Sequence, residues 1–397
     1  MSTLLRGRLV TPDQVIDDGA LVFDGDRIAW VGSEGEAAEA GFAAELDAAG
    51  EPWPYLLPGL VDLHNHGGGG ASFPDATDRA SAMTAVAEHR RHGTTSLVAS
   101  LVSATPETLR ARVRLLAELA DSEEIAGIHL EGPFLSAARC GAHDPEALSL
   151  PDPALTAELA ELAGGHLVTM TLAPELPGAL ACADALISAG ALPSWGHTDA
   201  GPADTAAALA STLGRLRPHR RATATHLFNA MRPWHHRDPG PIGELLAAAV
   251  RGEVVVELIG DGVHVAPEVV REVCELVGSR AAVLVTDAMA AAGMADGSYR
   301  LGSLDVTVTD GVARLSTDDG QPGSIAGGTA HLIDIVRATT EGGVALVDAV
   351  RMASTTPAEV LGDPQIGALE PGRRADLLLA DEQLRPVKVF RRGREVT

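Results

Sequence analysis

The sequence predicts an α/β fold: a (β/α)8 TIM-like barrel accompanied by a small β-sandwich domain formed from the N- and C-terminal segments. Three observations predict it. Between residues 56 and 364, eight short apolar runs alternate with Ala-rich stretches of helical length, the pattern of βα units around a parallel sheet. Residues 1–55 and 365–397 instead carry strand-like pieces separated by Gly and Asp turns, which reads as one β domain shared by both termini. Polar residues of unusual chemistry recur at the C-terminal ends of the apolar runs, where a barrel of this kind carries its working groups.

Taken in order, Leu4–Val10, Ala20–Phe23 and Arg27–Val31 read as strands around the Asp24-Gly25-Asp26 turn, with no long helical pattern among them. The eight barrel strands are expected at Leu60–His64, Thr95–Ser100, Gly127–Glu131, Leu167–Leu172, Leu192–His197, Ala222–Leu227, Val254–Ile259 and Ala282–Asp287. Helices are expected between them at Thr77–His92, Pro106–Ala120, Ala154–Leu162, Ala179–Ala189, Pro202–Leu213, Ile242–Val250 and Pro267–Val277. Thr105 before Pro106 is a cap followed by proline at the first helical position, which pre-sets φ and needs no N–H there. An insertion over about residues 296–323 reads as a hairpin or lid, followed by helices Ala330–Thr340 and Leu346–Ser354. Strands at Ala375–Ala380 and Val387–Arg391 return to the style of the N-terminus, and the two terminal segments are expected to share a sheet.

Composition narrows the chemistry. The chain has 397 residues, 46% hydrophobic and 3% aromatic, so its core must be built mainly from Ala, Val and Leu. A net charge of −24 repels nucleic-acid backbones and anionic membrane surfaces, so neither is an expected partner. Lys388 is the single lysine, beside fourteen histidines. That excludes a GxxxxGK[ST] phosphate loop, limits Schiff-base chemistry to Lys388, and directs attention to metals. Cys140, Cys182 and Cys274 form no CxxC pair, which suggests neither a disulfide framework nor a thiolate zinc site. With no apolar leader in the first residues and no long apolar run, the expectation is a cytoplasmic protein.

The histidines collect at strand ends. His64 and His66 close the first strand, and at a strand period of two both imidazoles point to one side, as a metal pair requires. Glu131 ends the third strand, His197 the fifth, His226 the sixth and Asp287 the eighth. Each alone has an ordinary reading, as a capping carboxylate or a packed core histidine. Together they form a nitrogen-rich set with hard oxygen donors, suited to Zn²⁺, Fe²⁺, Mn²⁺ or Co²⁺ rather than Ca²⁺ or Mg²⁺. Six donors exceed the need of one tetrahedral ion and suit one or two ions, which lower the pKa of bound water from about 15.7 toward about 7. Lys388 lies in the terminal β segment and cannot supply a carboxylated bridge, so Glu131 is the bridging candidate. Asp287 is the candidate general base and acid.

These residues resemble the amidohydrolase superfamily, and within it the family of N-acetylglucosamine-6-phosphate deacetylases. The resemblance covers nearly the whole chain. The narrower likeness rests on His-Leu-Glu-Gly-Pro-Phe at 129–134, Gly-Ala-His at 141–143, Gly-His-Thr at 196–198, Thr-His-Leu-Phe-Asn-Ala-Met at 225–231, Asp-Gly-Val-His at 261–264 and Val-Thr-Asp-Ala at 285–288. It implies a metal-dependent hydrolase of linear amides that releases acetate from N-acetyl-D-glucosamine 6-phosphate in amino sugar metabolism. By this resemblance Glu131, His197 and His226 hold the principal metal and His64 and His66 a second, with Asp287 as catalytic acid and base. It also implies substrate contacts at Ala142, His143, Asn229, Ala230, Arg237, His264, Ile325, Ala326 and Gly327, and a homodimer in which a neighbouring subunit supplies phosphate-binding groups. Arg237 beside His235 and His236 is the candidate for the phosphate, since a guanidinium fork matches it in two hydrogen bonds. The competing readings are deacetylation of the galactosamine epimer, another amidohydrolase reaction such as that of a cyclic amidase or a D-aminoacylase, and a metal-free scaffold.

Overall fold

A computed structural model describes residues 2–217, 219–317 and 321–396. Its centre is an eight-stranded parallel sheet, Leu60–Asn65, Thr94–Leu101, Gly127–Glu131, Leu167–Leu172, Leu192–Trp195, Ala222–Ala224, Val254–Leu258 and Ala282–Leu284, hydrogen-bonded in chain order. The ring closes just beyond the last strand: Asp287 N–H donates to His64 O at 2.9 Å and His66 N–H to Ala288 O at 2.7 Å. The closure therefore lies among the candidate site residues themselves. The expected (β/α)8 barrel is present.

The helices fall where periodicity puts them, with boundaries set by caps. Asp78 accepts from Ser81 N–H to begin Arg79–Arg91, Thr105 accepts from Thr108 N–H before Pro106–Asp121, and Asp152 starts Pro153–Leu162. After the eighth strand come Leu332–Glu341, Leu346–Met352 and Thr355–Leu361, the last not expected from the sequence. The insertion forms a three-stranded antiparallel sheet, Gly297–Leu301, Leu304–Thr309 and Val312–Leu315, packed on Met289 and Ala326. Residues 318–320 of the expected lid lie outside the described residues. Ala, Val and Leu fill the barrel core, with Phe73, Phe134 and Trp195 as its few large aromatics.

The terminal segments join in one seven-stranded sheet, in which Trp53–Pro58 pairs with both Thr3–Val10 and Leu377–Ala380. Trp53–Pro58 crosses the expected boundary at residue 55 and leads directly into the first barrel strand. Two short helices at Glu34–Ala37 and Ala43–Ala48 interrupt the β segment where no helix was expected. The first is nucleated by a reciprocal cap between Ser33 and Glu36.

Candidate functional site

The first strand is buried on both faces and delivers His64 and His66 side by side, their Nε2 atoms 3.0 Å apart. Glu131 projects from the end of the third strand. The other three groups sit past the strands expected to carry them. The fifth strand stops at Trp195, the sixth at Ala224 and the eighth at Leu284, and His197, His226 and Asp287 follow with φ of +48°, +24° and +46°. Left-handed backbone at a residue with a Cβ costs about 1–3 kcal/mol, so it persists only where surrounding structure enforces it. Here it turns each side chain back over the barrel mouth. Apolar periodicity cannot tell that turn from one more extended residue.

Glu131 is the hub. Its Oε1 lies 3.0 Å from His197 Nε2 and 2.8 Å from His226 Nε2, while its Oε2 lies 3.1 Å from His66 Nε2 and 3.7 Å from His64 Nε2. Asp287 Oδ1 completes the second group at 3.3 Å from His64 and 3.2 Å from His66. All but Asp287 are fully buried.

Hydrogen bonds on the far side of each ring decide which nitrogens are available. His64 Nδ1 faces Glu257 Oε2 at 3.2 Å, His66 Nδ1 faces Ser100 O at 3.2 Å and His197 Nδ1 faces Arg139 O at 2.8 Å. Each of those oxygens can only accept, so each Nδ1 carries a proton and Nε2 is the nitrogen turned inward, whose lone pair a metal would take. His143 is the opposite case. Its Nδ1 accepts from Ser103 N–H at 3.1 Å, so the proton sits on Nε2 and is donated to Glu131 Oε2 at 3.2 Å. His143 is thus a hydrogen-bond donor to the hub, not a ligand.

The electrostatics agree with a cation site. Burial would raise the Glu131 carboxyl, but His64, His143 and His197 outweigh it and hold it well below the usual carboxylate range. Asp287 is likewise depressed, burial being outweighed by His64 and His66. Burial opposes charge on His64 and His66, yet Asp287 and Glu131 keep both imidazoles above their usual range. The carboxylates of Glu131 and Asp287 therefore draw positive charge onto this spot. Lone pairs of neutral imidazoles repel at the 3.0 Å of His64–His66 and the 3.1 Å of His197–His226. That spacing is what nitrogen ligands about 2.0–2.1 Å from a common ion produce, so the residues fit a divalent metal.

Above the hub lies a cavity of about 380 Å³. Ala142, His143, Asn229, Ala230, His264, Ile325 and Gly327 of the expected substrate contacts line it. Ala326 does not; its methyl is buried against the inserted sheet. Nor does Arg237, which is exposed on the loop after the sixth strand. Cys140, half-buried, is also outside the lining. Arg139 lines the cavity and pairs with Asp199 at 2.8 Å. Gly141, at φ +61°, passes so close that a Cβ would meet His197 Cε1 at 3.1 Å. His264 is fixed by Asp261, whose Oδ2 lies 2.7 Å from Nδ1; burial lowers its basicity but Asp261 raises it further.

Sequence reasoning missed Glu257, Asp62, Ser103 and Arg139. Glu257 also accepts from His226 N–H at 3.2 Å. Asp62 accepts from Thr286 Oγ1–H at 2.6 Å and from Asn65, and burial pushes its carboxyl up to about 6 against those donors. A lone acid inside Val254-Val255-Val256-Glu257-Leu258, or inside Leu60-Val61-Asp62-Leu63, was the available signal, because a buried strand admits a carboxylate only with partners.

Comparison with known proteins places these features in context. A family model described as the amidohydrolase family matches residues 55–396. N-acetylglucosamine-6-phosphate deacetylase of Bacillus subtilis (strain 168) is 32% identical over 97% of this chain and 94% of its own. N-acetylgalactosamine-6-phosphate deacetylase of Escherichia coli O157:H7 is 33% identical over 85% and 86%. The crystal structure of N-acetyl-D-glucosamine-6-phosphate deacetylase from Mycobacterium smegmatis superposes with a TM-score of 0.90 at 40% identity, covering all of both chains. A mutant of that enzyme in complex with N-acetyl-D-glucosamine-6-phosphate superposes with a TM-score of 0.87.

Proposed function

The chain belongs to the amidohydrolase family, and from that premise we propose that it hydrolyses the acetamide of N-acetyl-D-glucosamine 6-phosphate to D-glucosamine 6-phosphate and acetate. The observation that carries this reading is Glu131, with His197 and His226 on one oxygen and His64 and His66 on the other, beneath a cavity bordered by Asp287. Glu131, His197 and His226 would hold the principal ion, and His64 and His66, with Asp287, a second, Zn²⁺ being the best match to these donors. When bound, the ion supplies Lewis acidity and a nucleophilic water at neutral pH.

Asp287 stays ionised at working pH, so it can take a proton from the attacking water and return it to the departing amine nitrogen. His264, oriented by Asp261, would polarise the acetamide oxygen. His143 holds Glu131 in place through its Nε2–H and borders the substrate. Ala142, Asn229, Ala230, Ile325 and Gly327 would shape the sugar subsite, with Ala326 packed behind it. Arg237, exposed on its loop, would serve the phosphate of a neighbouring subunit in a homodimer. We assign residues 56–364 to the hydrolase barrel and 1–55 with 365–397 to the β domain. Among the described residues no helix is long and apolar enough to cross a membrane; a cytoplasmic enzyme of amino sugar recycling fits this reading.

The test is acetate release from the 6-phosphate substrate, its galactosamine epimer and the unphosphorylated sugar, with metal content measured on the same sample. Asp287→Asn should lower kcat by roughly 10²–10⁴-fold while the ion held by Glu131, His197 and His226 stays bound. Normal turnover in that variant would remove Asp287 from its role.

A further inference from the structure

At the N-terminal face of the barrel, remote from the hub, a second cavity of about 900 Å³ opens between the helix Arg79–Arg91, the Gly25 turn and the last two strands. Arg90, Arg391, Arg392 and Arg394 line it, in a chain whose net charge is −24. Of its two lining acids, Glu395 pairs with Lys388 at 3.1 Å, and Asp26 lies 3.8 Å from Arg27 and also near Arg392.

The arginines are incompletely matched. The side chain of Arg391, half-buried, donates to the carbonyls of Thr95 and Glu123 and has no ion-pair partner among the described residues. Burial, then the nearby Arg90 and Arg374, pull its guanidinium down to about 10, with Asp376 opposing them. Arg392 gives Nη1 to Glu123 at 2.6 Å and leaves a buried Nε–H without a partner. Arg394 is exposed, paired with Arg391 through the sheet, and its side chain has no hydrogen-bond or ion-pair partner among the described residues. Arg90 is the exception, held by Glu124 at 2.9 Å. Unmatched guanidinium donors converging on one cavity are the chemistry that receives a phosphate, whose oxygens accept several N–H groups at once.

We propose that this cavity is an anion site, distinct from the catalytic one, that binds the phosphate group of a small molecule. Inorganic phosphate and a phosphorylated sugar share that chemistry. The holoenzyme is titrated calorimetrically at constant ionic strength with inorganic phosphate and with glucose 6-phosphate, for wild type, Arg394→Glu and Arg391→Gln. The expected result is saturable binding of at least one probe that Arg394→Glu weakens by about tenfold or more, with acetate release unchanged. The tighter probe identifies the source of the phosphate. Arg391 braces two carbonyls and its variant can unfold; the Arg394 side chain makes no hydrogen bond or ion pair among the described residues, so its variant decides. No binding of either probe, or binding indifferent to Arg394→Glu, would overturn the proposal.

Discussion

Glu257 illustrates how the site is organised residue by residue. It fixes the tautomer of His64 and tethers the backbone of His226, so one buried carboxylate orients a ligand from each half of the metal set. Partners of this kind raise ligand basicity and typically govern metal affinity by about 10–100-fold. Glu257→Leu, which leaves both N–H groups without an acceptor, is expected to weaken metal binding within that range, while Glu257→Gln, which keeps one, should weaken it less. Competition against a chromogenic chelator measures this, and equal affinity in both variants and wild type would show that Glu257 does not orient the ligands. The pairing of His64 with His66 was legible, because two residues apart on a strand they point to one side. Glu257 and His64 are 193 residues apart, and the donor role of His143 depends on Ser103 N–H; neither pairing leaves a local trace in sequence.

Elements were legible in kind and order, and less so at their ends. Thr105 before Pro106 marked one helix start and periodicity placed the others to within a residue or two, whereas the three strands ending before His197, His226 and Asp287 do so through left-handed turns that hydrophobic patterning does not encode. The Gly67–Gly70 loop shows how packing then fixes an element that composition leaves undefined. His89, on the helix Arg79–Arg91, is fully buried beneath it and donates from Nε2 to Gly67 O at 2.8 Å. Burial holds this imidazole neutral, lowering its pKa to about 4. A histidine depressed on folding contributes stability that is intact above its unfolded pKa near 6.5 and is lost as pH falls toward 4, in total about 3 kcal/mol. Urea unfolding at a series of pH values should therefore show a steeper acid limb in wild type than in His89→Leu across that window. Parallel pH profiles would mean that His89 is not the titrating anchor.

At the scale of the whole molecule, the candidate metal ligands also bear on how the barrel closes. They come from the ends of five different strands, and the backbone bonds that close the barrel, Asp287 to His64 and His66 to Ala288, run between two of them. The β domain also closes through distant segments, since Trp53–Pro58 is bracketed by strands from both ends of the chain. This shared sheet was anticipated from the matching style of the termini; the barrel seam was not, because it lies outside any strand pattern. A divalent ion held by this set would tie first, third, fifth, sixth and eighth strands together where Glu131 and Asp287 otherwise concentrate buried negative charge. An ion that binds only the folded state at a hundredfold excess over its Kd adds about 2.7 kcal/mol. For a chain this long that is expected to raise the melting temperature by a few degrees. Calorimetric melting after exhaustive chelation should thus fall, and recover on adding back Zn²⁺, at unchanged helical content. The His64→Gln and His197→Gln variants should each lose part of that recovery, because each removes a ligand from a different side of Glu131. If metal leaves and returns without moving the transition, the donors do not share an ion and the barrel seam stands on its backbone bonds alone.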